Sequence, residues 1–318
     1  MIRFGIVGTS SISERFAGAV RQVAGAGVSR VSSRDAERAR SFADRIGAPG
    51  VAVGLDDLLA APDVDAVYLA SPNSAHAAQI ASAVDAGIPM LVEKPAVLTA
   101  AEWDAAVARA RDRGVVLLEA MRTAYDPGLA AVRAALADLG PVRRVSLRYE
   151  KRSARYDEVL AGRQTNILDP EMGGGALRDL GVYPLHALVR LFGAPRAVQG
   201  VRVGIASETD GLGSALATYD GFVADVAWSK ITDTSLPSEI QGEEGSLLID
   251  AIDAPRRLVL TPRGGVPRVI TVPADDNPMV GEVRRFVDAV AGADIDEDQR
   301  ATATTLGLVD ALLDRPLA

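Results

Sequence analysis

The sequence has no cysteine, only two histidines, and no apolar run as long as a membrane span. Without cysteine there can be no disulfide, and two histidines alone leave too few soft ligands for a zinc dehydrogenase site, so no metal is expected. A bilayer span needs roughly 18 to 20 apolar residues in succession, so no membrane segment is expected either. The first residues also lack the apolar core of a secretory signal. Together these absences favour a cytoplasmic globular protein.

Positive charge is outnumbered by negative charge, and lysine is especially scarce. The 34 basic and 42 acidic residues give a net charge of −8, which argues against nucleic acid or an anionic membrane as a partner. Only Lys94, Lys151 and Lys230 are lysines. Arginine stays protonated, whereas a lysine can give up its proton. A chain with this bias is therefore expected to keep lysine where arginine cannot replace it, although no role is predicted for Lys230.

Apolar periodicity divides the 318 residues into two domains of different class. Residues 1–121 alternate short β-branched runs with Ala-rich segments of helical period, which predicts an N-terminal doubly wound parallel sheet of the Rossmann type. Residues 122–318 show alternating strands split by Gly and Pro turns, with helices over 176–192 and near the C-terminus. This pattern predicts an α+β domain with an open, mostly antiparallel sheet, whose last helix is free to pack back on the first domain.

A glycine-rich turn follows the first strand, at the position where dinucleotide-binding folds hold a pyrophosphate. Gly8 keeps the tight-turn glycine, whereas Ser10 and Ser13 replace the second and third glycines. Both serines are small, so a phosphate could still approach the helix N-terminus. On its own, an ordinary strand-turn-helix corner explains the pattern about as well. The predicted phosphate-binding residues are Gly8, Thr9, Ser10, Ser11 and Ile12.

The end of the second strand indicates which nicotinamide cofactor is preferred. An acidic residue there usually holds the ribose 2′-OH of NAD, whereas arginine accommodates the 2′-phosphate of NADP. Ser33 and Arg34 end this strand, and Arg38 lies one helical turn beyond Arg34. We therefore expect NADP(H) to be preferred over NAD(H). The alternative is that both arginines belong to a solvated helix face.

Two later strand ends carry polar residues at the sheet edge where α/β proteins bind ligands. One group is predicted to line the cofactor, with the histidine facing the nicotinamide ribose, and consists of Ser71, Pro72, Asn73 and His76. The other is Glu93 and Lys94. A cationic nicotinamide would disfavour the charged form of Lys94 and so promote proton donation. The alternatives are a structural histidine and a surface ion pair.

A third cluster of polar residues lies on the predicted helix that follows three glycines at 173–175. The spacing of Asp179, Tyr183 and His186 puts the three titratable groups near one helical face. This arrangement is typical of an acid-base surface. The alternative is a Tyr and a His packed in a helical core with their polar tips satisfied.

The order and spacing of these motifs resemble the glucose-fructose oxidoreductase and inositol dehydrogenase family, Gfo/Idh/MocA, over nearly the whole chain. The resemblance rests on Gly8-Thr9-Ser10, Ser71-Pro72-Asn73 with His76, Glu93-Lys94-Pro95, Glu119-Ala120, the segment from Gly173 to Tyr183, and Gly242 to Leu247. It implies a Rossmann domain and a C-terminal sheet used in a homodimer or homotetramer. It also implies hydride transfer between a nicotinamide and a carbinol or carbonyl carbon of a sugar-like substrate.

Within this family the chain is most similar to the dimeric dihydrodiol and NADP-linked xylose dehydrogenases. Members commonly have Asp-x-x-x-His in the helix motif, but here Tyr183 stands at the histidine position. In the similar branch a serine and a downstream arginine hold the 2′-phosphate, and the matching residues are Ser33 and Arg38. Just after Glu119-Ala120, the segment 121–125 does not match the aromatic and arginine that the dihydrodiol enzymes place there, which speaks against an aromatic dihydrodiol as substrate.

The resemblance therefore implies an NADP(H)-dependent oxidoreductase for an aldose, ketose or cyclic polyol. Tyr183 is expected to exchange a proton with the substrate oxygen, Lys94 to hydrogen-bond that oxygen and favour the tyrosinate, and Asp179 to orient Lys94 or a substrate hydroxyl. Further residues expected to line the substrate are Arg122, Lys151, Tyr156, Asn166 and His186. An anionic sugar remains an alternative because basic residues cluster at 151–155. A nucleotide-binding sensor without catalysis is another.

Overall fold

The computed structural model describes residues 1 to 318. Its strands are β1 (Ile2–Val7), β2 (Ala26–Ser33), β3 (Gly50–Val53), β4 (Ala66–Leu69), β5 (Met90–Glu93), β6 (Leu117–Ala120), β7 (Val142–Glu150), β8 (Ala197–Gly204), β9 (Asp210–Tyr219), β10 (Phe222–Ser229), β11 (Ser238–Gly242), β12 (Gly245–Ile249), β13 (Arg257–Pro262) and β14 (Arg268–Thr271). Its α-helices are α1 (Ser11–Val20), α2 (Ala36–Ile46), α3 (Leu55–Leu59), α4 (His76–Asp85), α5 (Ala100–Asp112), α6 (Pro127–Ala135), α7 (Ala154–Leu160), α8 (Val182–Phe192), α9 (Val280–Val290) and α10 (Asp296–Leu313). None of these helices has both the length and the apolar character needed to cross a bilayer.

The first compact unit, Met1–Met121 with Asp275–Arg300, contains a six-stranded parallel sheet. Its order is β3-β2-β1-β4-β5-β6, so the strand order reverses between β1 and β4. All four residues of β4 are buried, as expected for a central parallel strand. The predicted doubly wound Rossmann sheet is confirmed. In sheets of this topology, ligands bind beyond the carboxyl ends of the strands at the point of reversal.

Residues 275–300 group with the first unit, whereas the sequence division assigned residues 122–318 to the second domain and left only the last helix free to pack back on the first. The Phe286 ring of α9 packs 5.5 Å from that of Phe4 in β1. Gln299 accepts a hydrogen bond from the Trp103 indole and donates one to the Leu117 carbonyl, each at 3.0 Å. Local periodicity identifies a helix but not the surface that its apolar face covers, which explains the difference.

The second unit, Arg122–Ala274 with Ala301–Ala318, contains an eight-stranded sheet of order β14-β13-β12-β11-β7-β10-β9-β8. Every neighbouring pair is antiparallel except β7 and β10. In β7, Val145 and Leu147 are buried, whereas Arg144 on the opposite face is exposed. The predicted open, mostly antiparallel sheet is therefore confirmed.

Candidate active site

In the first unit, the turn after β1 has the backbone that a phosphate site requires. Gly8 has φ +105°, and a Cβ there would lie 2.6 Å from the Ala70 carbonyl oxygen, so only glycine fits without strain. Ser13 is buried, and its hydroxyl lies 3.4 Å from that of Ser10. The first N–H groups of α1 have no intrahelical acceptor, because helix bonding begins with Glu14 N–H to Ser10 O. These groups are suited to hold a pyrophosphate oxygen.

The end of β2 presents two guanidiniums, with the exposed carboxylates of Asp35 and Glu37 beside them. Arg34 and Arg38 are exposed, and neither takes part in an ion pair. The neighbouring Asp35 caps α2 by accepting a hydrogen bond from the Arg38 backbone N–H at 3.0 Å. The Ser33 hydroxyl accepts from the Asp35 N–H at 3.2 Å. Because Asp35 serves as the helix cap, the local chemistry suits a phosphate better than a ribose diol.

His76 lies in the core, in contrast to its predicted position facing a ribose. It is fully buried, with Nδ1 3.1 Å from the Pro95 carbonyl oxygen and Nε2 3.0 Å from the Ser71 carbonyl oxygen. Burial lowers the pKa of His76, whereas the hydrogen bonds to backbone carbonyls oppose that drop. Its two ring nitrogens link the loop after β4 to the loop after β5, which is a structural function. Nearby, the Ser71 hydroxyl donates to the Gln79 side chain at 2.6 Å.

The loop that carries Lys94 is held by hydrogen bonds at Lys94, Pro95 and Ala96. The Lys94 N–H donates to the Glu93 carboxylate at 3.2 Å, and that carboxylate also accepts the Tyr68 hydroxyl. The Ala96 N–H donates to Glu119, a carboxylate that is only 4% exposed, at 2.9 Å. Glu93 therefore fixes the backbone of this loop. These hydrogen bonds fix the backbone from which the Lys94 side chain extends.

In the second unit, the predicted continuous helix over 176–192 is interrupted by a π-turn, Leu177–Gly181, before α8 begins. The Val182 N–H donates to the carbonyl of Leu177, five residues back. Two residues explain the π-turn. Pro184 has no N–H to continue the ordinary pattern, and Gly181 lets the turn approach Trp228, whose Cγ would lie 3.1 Å from an added Cβ. π-turns are often found at functional sites.

The start of this motif is anchored on a buried aspartate that the sequence analysis did not identify. Asp210 Oδ2 accepts hydrogen bonds from the Leu177 N–H at 2.8 Å and the Trp228 indole at 3.0 Å. Burial raises the pKa of Asp210, while these hydrogen bonds oppose the rise. A Cβ on Gly175 would lie 2.5 Å from Asp210 Oδ1, and its φ is +125°. This close approach explains one of the three successive glycines.

Tyr183 is surrounded by charged and aromatic groups of the same unit. The guanidinium carbon of Arg122 lies 5.0 Å from the Tyr183 ring centroid. The Tyr149 ring meets Tyr183 edge to face, with centroids 5.4 Å apart. Arg122 is also ion-paired with Asp253 at 2.5 Å. Arg122 is thus in contact with the predicted acid-base residue, whereas Tyr149 and Asp253 were not identified from the sequence.

Asp179 forms an ion pair with Lys230, the lysine for which no role was predicted. The Lys230 side chain is only 5% exposed and follows β10, while that of Asp179 is 28% exposed. The scarcity of lysine was the sequence signal that could have identified this residue. The structure therefore gives the Asp179 carboxylate a cationic partner within its own unit.

The remaining predicted substrate residues are dispersed. His186 is 2% exposed and its Nδ1 lies 3.2 Å from the Thr305 hydroxyl, so it packs in the core and does not line an open surface. Burial lowers the pKa of His186 to about 3. Asn166 is exposed at the start of a short 3₁₀ turn, and Tyr156 packs against Arg152, itself paired with Asp157. These contacts are typical of structural and surface residues.

Lys151 is exposed and borders a cavity of about 480 Å³ at the end of β7, together with Tyr149 and Asp253. It makes no ion pair. Of the basic residues at 151–155, Arg152 is neutralised by Asp157, so the cluster offers less positive charge to an anionic ligand than its sequence suggests.

Comparison with protein families gives two matches that together cover most of the chain. A model described as an oxidoreductase family with an NAD-binding Rossmann fold matches residues 2–121, and a model of the GFO/IDH/MocA C-terminal domain matches residues 129–248. The chain is 35% identical over 306 residues to scyllo-inositol 2-dehydrogenase (NADP(+)) IolU of Bacillus subtilis (strain 168), a match covering 96% of this chain and 93% of that protein.

Two further similarities involve a mammalian enzyme and a solved structure. Trans-1,2-dihydrobenzene-1,2-diol dehydrogenase of Sus scrofa is 31% identical over 267 residues, covering 81% of this chain and 77% of that protein. The crystal structure of KijD10, a 3-ketoreductase from Actinomadura kijaniata in complex with NADP and TDP-benzene, superimposes with a TM-score of 0.88 at 25% identity. That comparison covers 98% of this chain and 97% of the ketoreductase chain.

Proposed function

Because the chain belongs to the GFO/IDH/MocA family of oxidoreductases, we propose that it transfers a hydride between NADP(H) and a carbinol or carbonyl carbon of a sugar or polyol. The chain is a nicotinamide-dependent oxidoreductase that acts on CH–OH groups. The NADP preference, the substrate class and the residue roles are the proposed part. The observation that carries the proposal is the buried phenol of Tyr183, which lies beside the guanidinium of Arg122 on the motif that also holds Asp179.

Tyr183 is proposed to move the proton. In the oxidative direction, its phenolate takes the proton of the substrate hydroxyl while the carbinol carbon loses a hydride and becomes a carbonyl carbon. In the reductive direction, the phenol returns that proton to the carbonyl oxygen. A phenol suits this role when a neighbouring cation makes its ionised form accessible. The bound nicotinamide supplies the hydride acceptor or donor.

Lys94 is proposed to hydrogen-bond the same substrate oxygen, as a donor that can also be deprotonated. Its loop backbone is held by Glu93 and Glu119, which favours a reproducible position for the ammonium. Asp179, with Lys230 as its counter-ion, is proposed to orient a substrate hydroxyl. Arginine could not replace Lys94, because a guanidinium does not give up its proton.

The cofactor is proposed to bind through the turn after β1 and the end of β2. The N–H groups at the start of α1 would hold the pyrophosphate, because Gly8 leaves the backbone uncovered there. Ser33, Arg34 and Arg38 would hold the 2′-phosphate. The backbone at 71–73 would line the cofactor, whereas the buried His76 acts only by fixing that backbone.

A homodimer or homotetramer through the second unit's sheet is also proposed. The open face of this sheet exposes apolar side chains at Val201, Leu216, Val223 and Val269, which is unusual for a sheet face left in water. Light scattering after size-exclusion chromatography is expected to give a multiple of the 33.2 kDa chain mass. We expect Leu216→Glu to release monomers, and a monomeric wild type contradicts this part of the proposal.

The function is tested by titrating NADPH and NADH against the purified protein and then assaying a substrate panel with the cofactor that binds more tightly. The panel contains scyllo-inositol, D-xylose and D-glucose as neutral substrates, D-glucuronate as an acidic one, and trans-1,2-dihydrobenzene-1,2-diol. We expect NADPH to bind at least about 10-fold more tightly than NADH, and a neutral polyol or sugar to be turned over.

Each other outcome has a defined meaning. Tighter binding of NADH contradicts the role of Ser33, Arg34 and Arg38. Preferential turnover of D-glucuronate or of the dihydrodiol moves the substrate class to that alternative. Tight NADPH binding without turnover on any substrate supports a non-catalytic sensor instead.

A further inference from the structure

Arg122 has a set of contacts that a substrate-lining residue does not need. Its Nη2 lies 2.5 Å from Asp253 Oδ2, and its Nη1 donates to the Asp253 carbonyl at 3.4 Å. The side chains of Arg122 and Asp253 are 15% and 16% exposed. The guanidinium carbon also lies 5.0 Å from the centroid of Tyr183. Arg122 is thus ion-paired with Asp253 and also contacts the ring of Tyr183.

Asp253 is itself held to the segment that carries Arg122. The Asp253 carbonyl accepts the Thr123 hydroxyl at 2.8 Å, so side chains from two adjacent residues bind one peptide unit. A second ion pair joins the same two segments, because both Nη atoms of Arg256 donate to the carboxylate of Asp126 at 2.7 Å. The position of Arg122 is therefore fixed at several points and does not depend on a single flexible contact.

The charged and polar groups around Tyr183 within its unit come from five segments. Arg122 follows β6, Asp253 lies in the loop after β12, Tyr149 lies near the end of β7, and the Asp179–Lys230 pair joins the π-turn to the residue after β10. Burial opposes the charged form of Arg122, but the charges of Tyr183 and Asp253 and their hydrogen bonds raise its pKa above the ordinary value. Burial likewise raises the pKa of Tyr149. Arg122 thus stays cationic and Tyr149 stays neutral throughout the working pH range.

We propose that Arg122, braced by Asp253, is a positioning residue that holds the phenol of Tyr183 and stabilises negative charge on its oxygen when the proton has left. This inference rests on the proposed function, in which the Tyr183 phenolate accepts the substrate proton. Because a guanidinium does not titrate, its contribution is the same at every pH at which the enzyme is folded. The cation next to Tyr183 also explains why a residue expected to bind substrate is instead paired and largely buried.

The test uses the full chain with Arg122→Gln, Arg122→Lys and Tyr183→Phe. Tyrosinate formation is followed by ultraviolet difference absorbance as the pH is raised. The chain has 6 tyrosines, and subtracting the Tyr183→Phe titration isolates the signal of Tyr183. We expect Arg122→Gln to move this step to higher pH, because the cation that favours the phenolate is gone, and Arg122→Lys to move it less.

Kinetics provide a second readout with the same variants. For NADP⁺-linked oxidation of the panel substrate that wild type oxidises fastest, we expect Arg122→Gln to lower kcat about 10-fold or more at neutral pH with KM changed less than about 3-fold. Raising the pH is expected to restore much of the lost rate, because more of the phenolate then forms without the cation. A purely structural role would not produce recovery at high pH.

Arg122→Gln leaves Asp253 buried without its partner and could unfold the protein. The double variant Arg122→Gln/Asp253→Asn removes both charges and serves as the second test, with a smaller expected shift in the same direction because losing the Asp253 anion favours the phenolate. An unchanged Tyr183 titration in both variants overturns the proposal. If Tyr183→Phe abolishes turnover while the Arg122 variants titrate like wild type, the proposed function stands and this inference fails. If Tyr183→Phe keeps full turnover, the proposed function fails, and the catalytic role of Arg122 fails with it.

Discussion

Replacing Lys230 by methionine tests the ion pair that supports the Tyr183 motif. Methionine is unbranched and of similar length, so Lys230→Met removes the ammonium while keeping most of the packing. The Lys230 side chain is 5% exposed, whereas the side chain of its partner Asp179 is 28% exposed. Breaking a fully buried pair by removing one partner costs about 3–5 kcal/mol. Because the partly exposed Asp179 can regain some hydration, we expect Lys230→Met to lower the free energy of unfolding by about 2–3 kcal/mol.

The assay is thermal and urea unfolding followed by circular dichroism. For a domain of about 150–250 residues, each 1 kcal/mol lowers Tm by about 2–4 °C, so Lys230→Met is expected to lower Tm by about 5–10 °C. Lys230→Arg keeps the positive charge, so its Tm is expected to fall less than that of Lys230→Met. The matched control is Arg196→Met, because the Arg196–Asp220 pair is 70% and 77% exposed and such a pair contributes about 0–1 kcal/mol. If Lys230→Met and Arg196→Met lower Tm by the same amount, the Lys230–Asp179 pair does not stabilise the fold as proposed.

The remaining predictions concern pH, the phosphate turn and cofactor choice. Because burial lowers the pKa of His186 from 6.5 to about 3, the unfolded chain binds a proton that the folded chain does not, so stability falls as pH drops below about 6.5. Between pH 7 and 5 we expect His186 to contribute a loss of about 2 kcal/mol, and urea unfolding of His186→Gln should show a correspondingly smaller loss over that interval. Gly8→Ala should weaken NADPH binding at least about 10-fold and destabilise by about 1–3 kcal/mol, measured by fluorescence titration and urea unfolding, whereas Gly27→Ala, with only a flexible side chain nearby, should bind normally. Arg38→Ala should weaken NADPH binding about 10-fold while leaving NADH binding nearly unchanged; an equal effect on both cofactors contradicts the 2′-phosphate assignment.

The fold class was predictable because it depends on periodicity that each segment carries by itself. The buried run of β4 and the alternation of Val145 and Leu147 with exposed residues in β7 identify the two kinds of sheet without tertiary information. The π-turn before α8 was not predicted, since helical spacing does not distinguish bonding to the fourth residue from bonding to the fifth. Pro184 and Gly181 were its visible signals.

The candidate site was harder to predict, because its residues are linked by contacts between distant segments. Lys230 and Asp253 come from the loops after β10 and β12, and nothing in their local sequence indicates a partner at Asp179 or Arg122. His76 illustrates the opposite problem: its place at a strand end suggested a ligand, but two backbone carbonyls bind its ring. The functions of Lys94, Asp179 and Tyr183 remain predictions.

Tyr183 and Lys94 are proposed to carry out proton transfer during NADP(H)-linked hydride transfer. The most direct measurement is kcat of Tyr183→Phe and Lys94→Met with the panel substrate that wild type turns over fastest, together with NADPH affinity in the same samples. Acid-base groups typically contribute about 10²- to 10⁴-fold, so each variant is expected to lose at least about 100-fold in kcat. NADPH affinity of Tyr183→Phe is expected to stay within about 3-fold of wild type. If both variants keep kcat within a few fold of wild type, the account is contradicted.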